Sequence, residues 1–512
     1  MGIFSTAGLF LAVLVCNGIL LQSCLGSGSI PTITCIEQER QALLKFKRSL
    51  TDTTHRLSSW TGEDCCNWKG IQCDGNTSHV VKLDLVSLDP DAAPIEANEV
   101  NPSLLELKYL EHLDLSGNNF QDIPIPIFLG SMTSLRYLNL SNSRFSGRVP
   151  HHLGNVSNLM VLDLHCMYME SLTIDDFTWV SRLSSLQYLD ASGMNLSRAL
   201  NLNVMLNMLP FLTELRLSRC ELHSTLLVSH FYLNSTASNI RKLDLSMNSF
   251  AGEFPKFVEN LTALRVLDLS FNYYLNSSFP LYLENLKSLE HLNLHYSSLT
   301  GDVVGLSRFL LTQCTLKSLD VSRNQFEGQM SRSFENLSGC ATYNLEMLIL
   351  RANRFIFGNL PDWLGQFKRL KYLELSSNSF SGSIPQSLGT LSALEELRIY
   401  ENRLNGTIPV SLGQLSILKI LDIHHNQLTG TIPISLGHQE EHEEDDSEKV
   451  WFYAALMSGY ATGLWGFVGV LVLKKSWRHA YFQFVVMVKD KVLLAIALGV
   501  ARLKNYIDQF GG

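Results

Sequence analysis

Cysteines, asparagines and a few arginine and aromatic positions are the residues of this 512-residue chain whose types and spacing could do chemistry. Of its 10 cysteines, Cys35, Cys65, Cys66 and Cys73 crowd one short stretch. Adjacent Cys65 and Cys66 are poor partners for each other, and four cysteines on their own allow three connectivities. A zinc site would draw on the same thiolates but finds no suitably spaced histidine. Nine Asn-x-Ser/Thr triplets, at Asn76, Asn139, Asn155, Asn195, Asn234, Asn260, Asn276, Asn336 and Asn405, mark acceptors for N-linked glycans and point to the secretory pathway. No nucleophile–base pair, metal-ligand spacing or phosphate-cradling glycine loop stands out, so neither an enzyme nor a cofactor is expected. A net charge of -8, with no Arg/Lys-rich stretch, offers no surface for nucleic acid.

The elements that position these residues are set by a repeat. Between Phe367 and Pro433 the pattern Leu-x-x-Leu-x-Leu-x-x-Asn-x-Phe/Leu-x-Gly-x-Ile-Pro runs three times. Leu370, Leu373, Leu375, Asn378, Phe380, Gly382, Ile384 and Pro385 make the first copy. The second runs from Leu394 to Pro409 and the third from Leu418 to Pro433. A period of ~24 residues with this signature is the leucine-rich repeat, an α/β solenoid. One coil cannot bury its own leucines, so coils stack around a core that runs the length of the array. Weaker copies extend the array over 83–437, about fourteen coils. Each Leu-x-Leu is a short strand of a parallel concave sheet, leucines inward and the intervening residue on the inner face. Asn118, Asn248, Asn272, Asn324, Asn353, Asn378, Asn402 and Asn426 hold the ladder position, and Cys220 takes the same slot as a structural thiol. On the inner face the default residue is Asp between the leucines and Ser after them. His165, Arg216, His295, Ile349, Arg351, Arg398, Tyr400 and His424 depart from it. Of these, Arg351, Arg398, Tyr400 and His424 should form a cationic and aromatic strip, the side-chain types that interfaces favour. Segments 86–104, 166–182 and 197–208 break the pattern and should loop out.

The flanks carry their own signals. Apolar Ile3 to Leu21 followed by small residues reads as a signal peptide over 1–28, although its basic n-region is missing; an uncleaved anchor is the alternative. Residues 29–82 form a cap for the first coil, with an amphipathic helix over Glu37 to Leu50. After the repeats comes an acidic spacer over 438–449, too charged to pack. Residues 450–473 contain no charge and are long enough to cross a bilayer. Lys474, Lys475 and Arg478 place the 474–512 tail in the cytosol. Ala455, Gly459 and Gly463 recur every fourth residue, a stripe that lets two membrane helices approach closely. The tail has no kinase signature. Its Tyr481-Phe482-Gln483-Phe484 reads as an aromatic membrane anchor or, through Tyr481 and Phe484, a sorting signal.

Taken together, the chain resembles the plant leucine-rich-repeat receptor-like proteins that lack a kinase, close to the ethylene-inducing xylanase receptor type. The resemblance rests on Cys35-Ile36-Glu37-x-Glu39-Arg40-Gln41-Ala42-Leu43-Leu44-Lys45-Phe46-Lys47, on Cys65-Cys66-x-Trp68-x-Gly70, on the repeats with their Ile-Pro step, on Trp451-Phe452-Tyr453 and on Trp477-Arg478-His479-Ala480-Tyr481-Phe482. It implies disulfides Cys35–Cys65 and Cys66–Cys73, and a second short sheet on the side of each coil. It further implies a single-pass type I plasma-membrane immune receptor with its repeats outside the cell. Such a receptor senses a microbial or damage-derived protein, peptide or glycan, pairs through its membrane helix with an adaptor receptor kinase, and recruits a co-receptor kinase on ligand binding. Family members usually carry more repeats, an island within them and a C-terminal cap with its own cysteine pair. Here no cysteine follows Cys340, which implies an internal deletion and an uncapped last coil. A shortened decoy and a developmental peptide receptor are the alternative readings; a soluble inhibitor of the polygalacturonase-inhibitor type is disfavoured by the membrane segment.

Overall fold

The computed structural model describes residues 34–86, 93–167, 172–224, 239–328, 340–355 and 358–436. The expected signal peptide (1–28), spacer, membrane segment with Ala455, Gly459 and Gly463, and tail with Tyr481 and Phe484, together with sequons Asn234 and Asn336, lie outside them. So does the side chain of Cys340, whereas Cys314 is disulfide-bonded.

Helix α1 (Glu37–Arg48) opens the cap and buries Ala42, Leu43 and Phe46 on one face. Its Glu39 is only 3% exposed. A buried carboxylate needs donors, and Glu39 accepts from the Val80 amide at 2.7 Å and pairs with His79 Nδ1 at 2.9 Å. That bond fixes the helix to the first strand of the array. Disulfides join Cys35 to Cys65 and Cys66 to Cys73, the pairing that the resemblance implied. Trp60 and Trp68 stack at 5.5 Å beside them.

Among the described residues the concave sheet has 15 strands. Ile71–Cys73 pairs antiparallel with Val80–Asp84, and from there parallel strands follow in chain order to Ile420–Asp422. The register sets leucine on leucine, as in Leu83↔Leu113, Leu243↔Leu267 and Leu397↔Leu421. Because side chains alternate across a strand, this register stacks one inward column along the array. Leu113, Leu162, Leu267, Leu319 and Leu373 in that column are 0% exposed.

A second column is polar. Asn272, 0% exposed, donates to the Leu269 carbonyl of its own coil at 2.9 Å and to Leu245 of the coil before at 3.0 Å. Asn248, Asn324, Asn353, Asn378 and Asn402 repeat this pairing. Each amide satisfies carbonyls that the strand edges would otherwise leave buried and unpaired. Cys220 does the same with its thiol, reaching Ala191 O at 3.2 Å and Ser218 O at 3.3 Å.

Beyond the ladder, short 3₁₀ turns such as Ile127–Ser131, His151–Asn155, Asp362–Gln366, Gln386–Thr390 and Val410–Gln414 form the outer side, each with proline just ahead. The second sheet is present in pieces: Gly147–Arg148 with Leu172–Thr173; Thr300–Asp302, Gln325–Gly328 and Arg354–Phe355; and Ser381–Ser383, Arg403–Gly406 and Gln427–Leu428.

Two stretches differ from the expectation. Segment 197–208 does not simply loop out: it contains helix α2 (Leu202–Met208), whose Leu202, Met205 and Leu206 enter the core. Helix α3 (Val303–Thr312), capped by Asp302 on the Gly305 amide at 2.8 Å, buries Val303, Leu306, Phe309 and Leu310. The spacing of those four residues is helical, and an N-cap aspartate precedes them. Both signals were available but masked by the expected turn.

Candidate functional site

The site is built on the inner face by residues that replace Ser or Asp in the strand pattern. Arg351, Tyr400 and His424 all follow the second leucine of their strands, Met347–Ile349, Glu396–Arg398 and Ile420–Asp422. The strand between the first two, Tyr372–Glu374, carries Ser376 at that position. Serine is too small to fill its place, so Arg351 reaches across it and sets its guanidinium 5.3 Å from the centre of the Tyr400 ring. His424 stacks on Tyr400 from the following coil, 4.6 Å away and 9° from parallel. Its imidazole in turn bonds the Asp422 carboxylate. Ser376 ends fully buried, its hydroxyl accepting from the Tyr400 amide at 3.1 Å.

Arg398 does not join this stack. It sits between the leucines rather than after them, so it lies in the neighbouring column. There it pairs with Glu396 at 3.0 Å and lies 5.7 Å from the Tyr372 ring. The four expected strip residues therefore resolve into a stack of three and a separately neutralised arginine. Arg216 behaves like Arg398: it bonds Glu214 at 2.6 Å, approaches Asp190 at 3.7 Å and lies over Tyr188.

A second aromatic group lies a few coils earlier and was not read from the sequence. Phe271, Tyr273 and Tyr296 meet edge to face around His295, with Tyr273 and Tyr296 4.8 Å apart. Arg323 lies 5.7 Å from the Tyr296 ring. Phe271, Tyr296 and Arg323 each occupy the slot just before the ladder position, where the backbone takes a positive φ of 57°, 51° and 53°. Such a conformation disfavours bulky side chains, and the signal that could have found the cluster is large residues at that one slot in consecutive repeats. Burial holds the His295 imidazole below its ordinary range, and Arg323 and Arg351 push the same way against Asp320 and Asp268.

Asp163, His165 and Asp190 bring their ligand atoms within 4.8 Å of one another. The network is closed from within. His165 bonds Asp163 at 2.7 Å and Asn142 at 2.7 Å, Asp190 takes the Ser192 amide at 2.9 Å, and Arg216 balances its charge. The hydrogen bond to Asp163 raises the His165 pKa, while burial raises that of Asp190. The close approach of Cys35, Cys65 and Cys66 is accounted for by their disulfides. Among the sequons, Asn76, Asn155, Asn260, Asn276 and Asn405 are exposed. Asn195 is half-buried, and Asn139 lies on the inner face with its amide on Asp114 at 3.1 Å.

A parallel sheet with an asparagine ladder, a disulfide-stapled cap and a side-chain strip on the inner face defines a leucine-rich-repeat binding protein. Residues 36–74 match the leucine rich repeat N-terminal domain, residues 343–404 a leucine rich repeat model, and further repeats match from 109–131 to 418–439. Receptor-like protein EIX2 of Solanum lycopersicum is 38% identical over 372 residues, 70% of this chain and 35% of its own length. Receptor-like protein EIX1 of the same species is 40% identical over 267 residues, 50% of this chain and 25% of its own length. Among solved structures, a TDR receptor aligns at a TM-score of 0.51 and 25% identity, covering 67% of this chain and 60% of that one. A leucine-rich-repeat protein of Leptospira interrogans aligns at 0.55 and 26%, covering 67% and 80%. The chain belongs to the plant leucine-rich-repeat receptor-like proteins, which are receptors and binding proteins rather than enzymes. It spans 25% and 35% of the length of the two curated relatives.

Proposed function

We propose that the chain is a cell-surface receptor-like protein of plant defence. In this reading it is a single-pass type I protein of the plasma membrane with its repeats outside. It senses a microbial or damage-derived ligand on its inner face and signals through partner kinases. An adaptor receptor kinase is held by the Ala455, Gly459 and Gly463 stripe of the 450–473 segment, and a co-receptor kinase joins when ligand binds. The observation that carries the reading is the Arg351–Tyr400–His424 stack. It replaces small default residues on the face that a solenoid presents to partners, and it uses the side chains that dominate interface energies. The glycan acceptors and cap disulfides support a secreted ectodomain.

The test is surface delivery and co-purification of the tagged full chain from plant cells. Mature glycans at the plasma membrane, with an adaptor kinase that co-purifies and is lost on Gly459→Leu with Gly463→Leu, are the expected result. Protein held in the endoplasmic reticulum with immature glycans would sink the reading. One observation favours a second reading, a decoy that engages adaptor kinases without sensing. Leu418, Leu421 and Ile423 are only half-buried, whereas Leu394, Leu397 and Ile399 one coil earlier are 0% exposed. Kinase co-purification unaffected by Tyr400→Ala, together with absence of any ligand response, would decide for the decoy. A response to an endogenous peptide in place of a microbial one would move the chain to development.

A further inference from the structure

We infer that the ring of Tyr274 is a packing shelf for the first N-acetylglucosamine of a glycan on Asn276, so that the sugar becomes part of the coil's fold. The inference rests on the secretory reading above and goes beyond it by giving one sequon a structural role.

The coil that carries Val266–Asp268 has one residue more than the regular copies. In those, a single residue separates the ladder asparagine from the next apolar one, as Ser249 lies between Asn248 and Phe250 and Ser379 between Asn378 and Phe380. Here Tyr273 and Tyr274 together separate Asn272 from Leu275. The Leu275 amide donates to the Asn272 carbonyl at 3.2 Å and closes a turn with both tyrosines at its centre. Asn272 and Leu275 are buried, whereas Tyr273 is 46% and Tyr274 65% exposed.

The two rings differ in what they touch. Tyr273 lies edge to face against Tyr296 at 4.8 Å. Among the described residues the Tyr274 ring has no aromatic or hydrogen-bond partner. Its backbone is nonetheless fixed, since the Tyr274 carbonyl accepts from the Gly252 amide at 2.9 Å in a bridge to the coil before.

Asn276 is fixed as well. It stands four residues past its ladder asparagine, the place of Gly252, Gly382 and Gly406 in other coils. It takes the positive φ that those glycines take, 35° against 78°, 73° and 75°, a region that asparagine tolerates better than most residues. Next to it the Ser277 carbonyl accepts from the Thr300 amide at 2.9 Å. Tyr274 and Asn276 are both exposed with buried Leu275 between them, and two residues of chain span at most about 7 Å.

A single exposed tyrosine needs no explanation. This one is held within reach of a sugar tethered to a held acceptor, so ordering that sugar costs little entropy. One face of a β-linked N-acetylglucosamine ring presents C–H bonds, which suit the electron-rich face of an aromatic ring. The other exposed acceptors, Asn76, Asn155, Asn260 and Asn405, have no exposed Phe, Tyr or Trp within the three residues before them.

The test uses the tagged full chain, purified in detergent from plant cells grown with kifunensine to keep its glycans high-mannose. Glycopeptide mass spectrometry should find Asn276 occupied. Amide hydrogen exchange is read at Gly252 and Thr300, which bond the two ends of the Tyr274–Ser277 segment. Asn276→Gln and Tyr274→Ala should each speed exchange there by about three- to tenfold, and the double variant should be no faster than either. Tyr274→Phe keeps the ring and should stay within about twofold of the unmodified chain. Trimming to one sugar with endoglycosidase H should preserve the protection. An unoccupied Asn276 beside occupied sequons, an equal effect of Tyr274→Ala with and without Asn276→Gln, or protection lost on trimming to one sugar would each overturn the assignment. The first sugar is attached in the endoplasmic reticulum, so a chain retained there still answers the question, and failure here is distinct from failure of the receptor reading. Absence of glycan from every sequon would take the secretory reading down with it.

Discussion

The glycine of each Leu-Gly step shows how finely one residue can be dictated by a neighbouring coil. A β-carbon on Gly389 would lie 2.3 Å from the Ser411 carbonyl oxygen, and one on Gly365 2.3 Å from that of Ser387. Backbone cannot yield as a flexible side chain can, so any methyl there forces adjacent coils apart. Gly389→Ala should cost about 1–3 kcal/mol in chemical unfolding, whereas Gly75→Ala, with nothing within 4 Å, should be near neutral. The ladder amides obey the same logic. In Asn272→Ala the Leu245 carbonyl keeps Asn248 and the Leu269 carbonyl keeps Ser297, but the buried Phe250 amide loses its partner, at a cost of about 1–3 kcal/mol. Titration supplies a third residue-scale expectation. The His165 pKa is raised above 6.5 by Asp163, so the folded state holds the proton more tightly than the unfolded one. That stabilisation is complete below 6.5 and is lost as pH rises through the folded value. His295 is shifted the other way and loses stability as pH falls. The readout is therefore a difference: the fall in unfolding midpoint between pH 6 and pH 8 should shrink in His165→Asn.

Elements were legible in the sequence to the degree that their physics is local and repeated. Leucine columns, strand register and ladder asparagines follow from a period, and each coil restates them. The cap helix was legible for a different reason, since Ala42, Leu43 and Phe46 already define one face. Helix α3 was not, because the turn pattern around it suggested another coil of the usual kind. The aromatic cluster at Phe271, Tyr273 and Tyr296 escaped because attention to the leucine strands passes over the slot ahead of the ladder. The separation of Arg398 from Tyr400 was legible in principle, as residues two apart on one strand share a face but lie in different columns of it; which ring each arginine would find depends on side-chain reach. At this scale the expectation concerns the cap. Removing the Cys66–Cys73 bond by Cys66→Ser with Cys73→Ser should cost about 2–4 kcal/mol and make the region around Trp68 the first cut in limited proteolysis. Glu39→Gln should add to that loss by weakening the bonds to Val80 and His79.

Across the whole array, stability is a sum of coils and of the contacts between nearest neighbours. Burial falls off at the last described coil, where Ile417 is 45% and Ile420 38% exposed and Ile434 reaches 79%. Amide hydrogen exchange should accordingly be fastest over residues 418–428 and slow by orders of magnitude within two coils toward the middle. Exchange there as slow as around Leu319 would show that something else covers this end.

The ladder has a mechanical meaning as well. Strand-to-strand bonds run along the stack, from Leu245 N to Asp268 O, from Leu269 N to Asn293 O and so on through the coils. Strands lie across that direction, about 4.8 Å apart. A pull along the stack therefore meets these bonds in series, a few at a time, and not as a block sheared together. Such a body should yield to tension coil by coil at low force, lengthening in steps of one repeat each, and should rewind in the same steps when the tension is released.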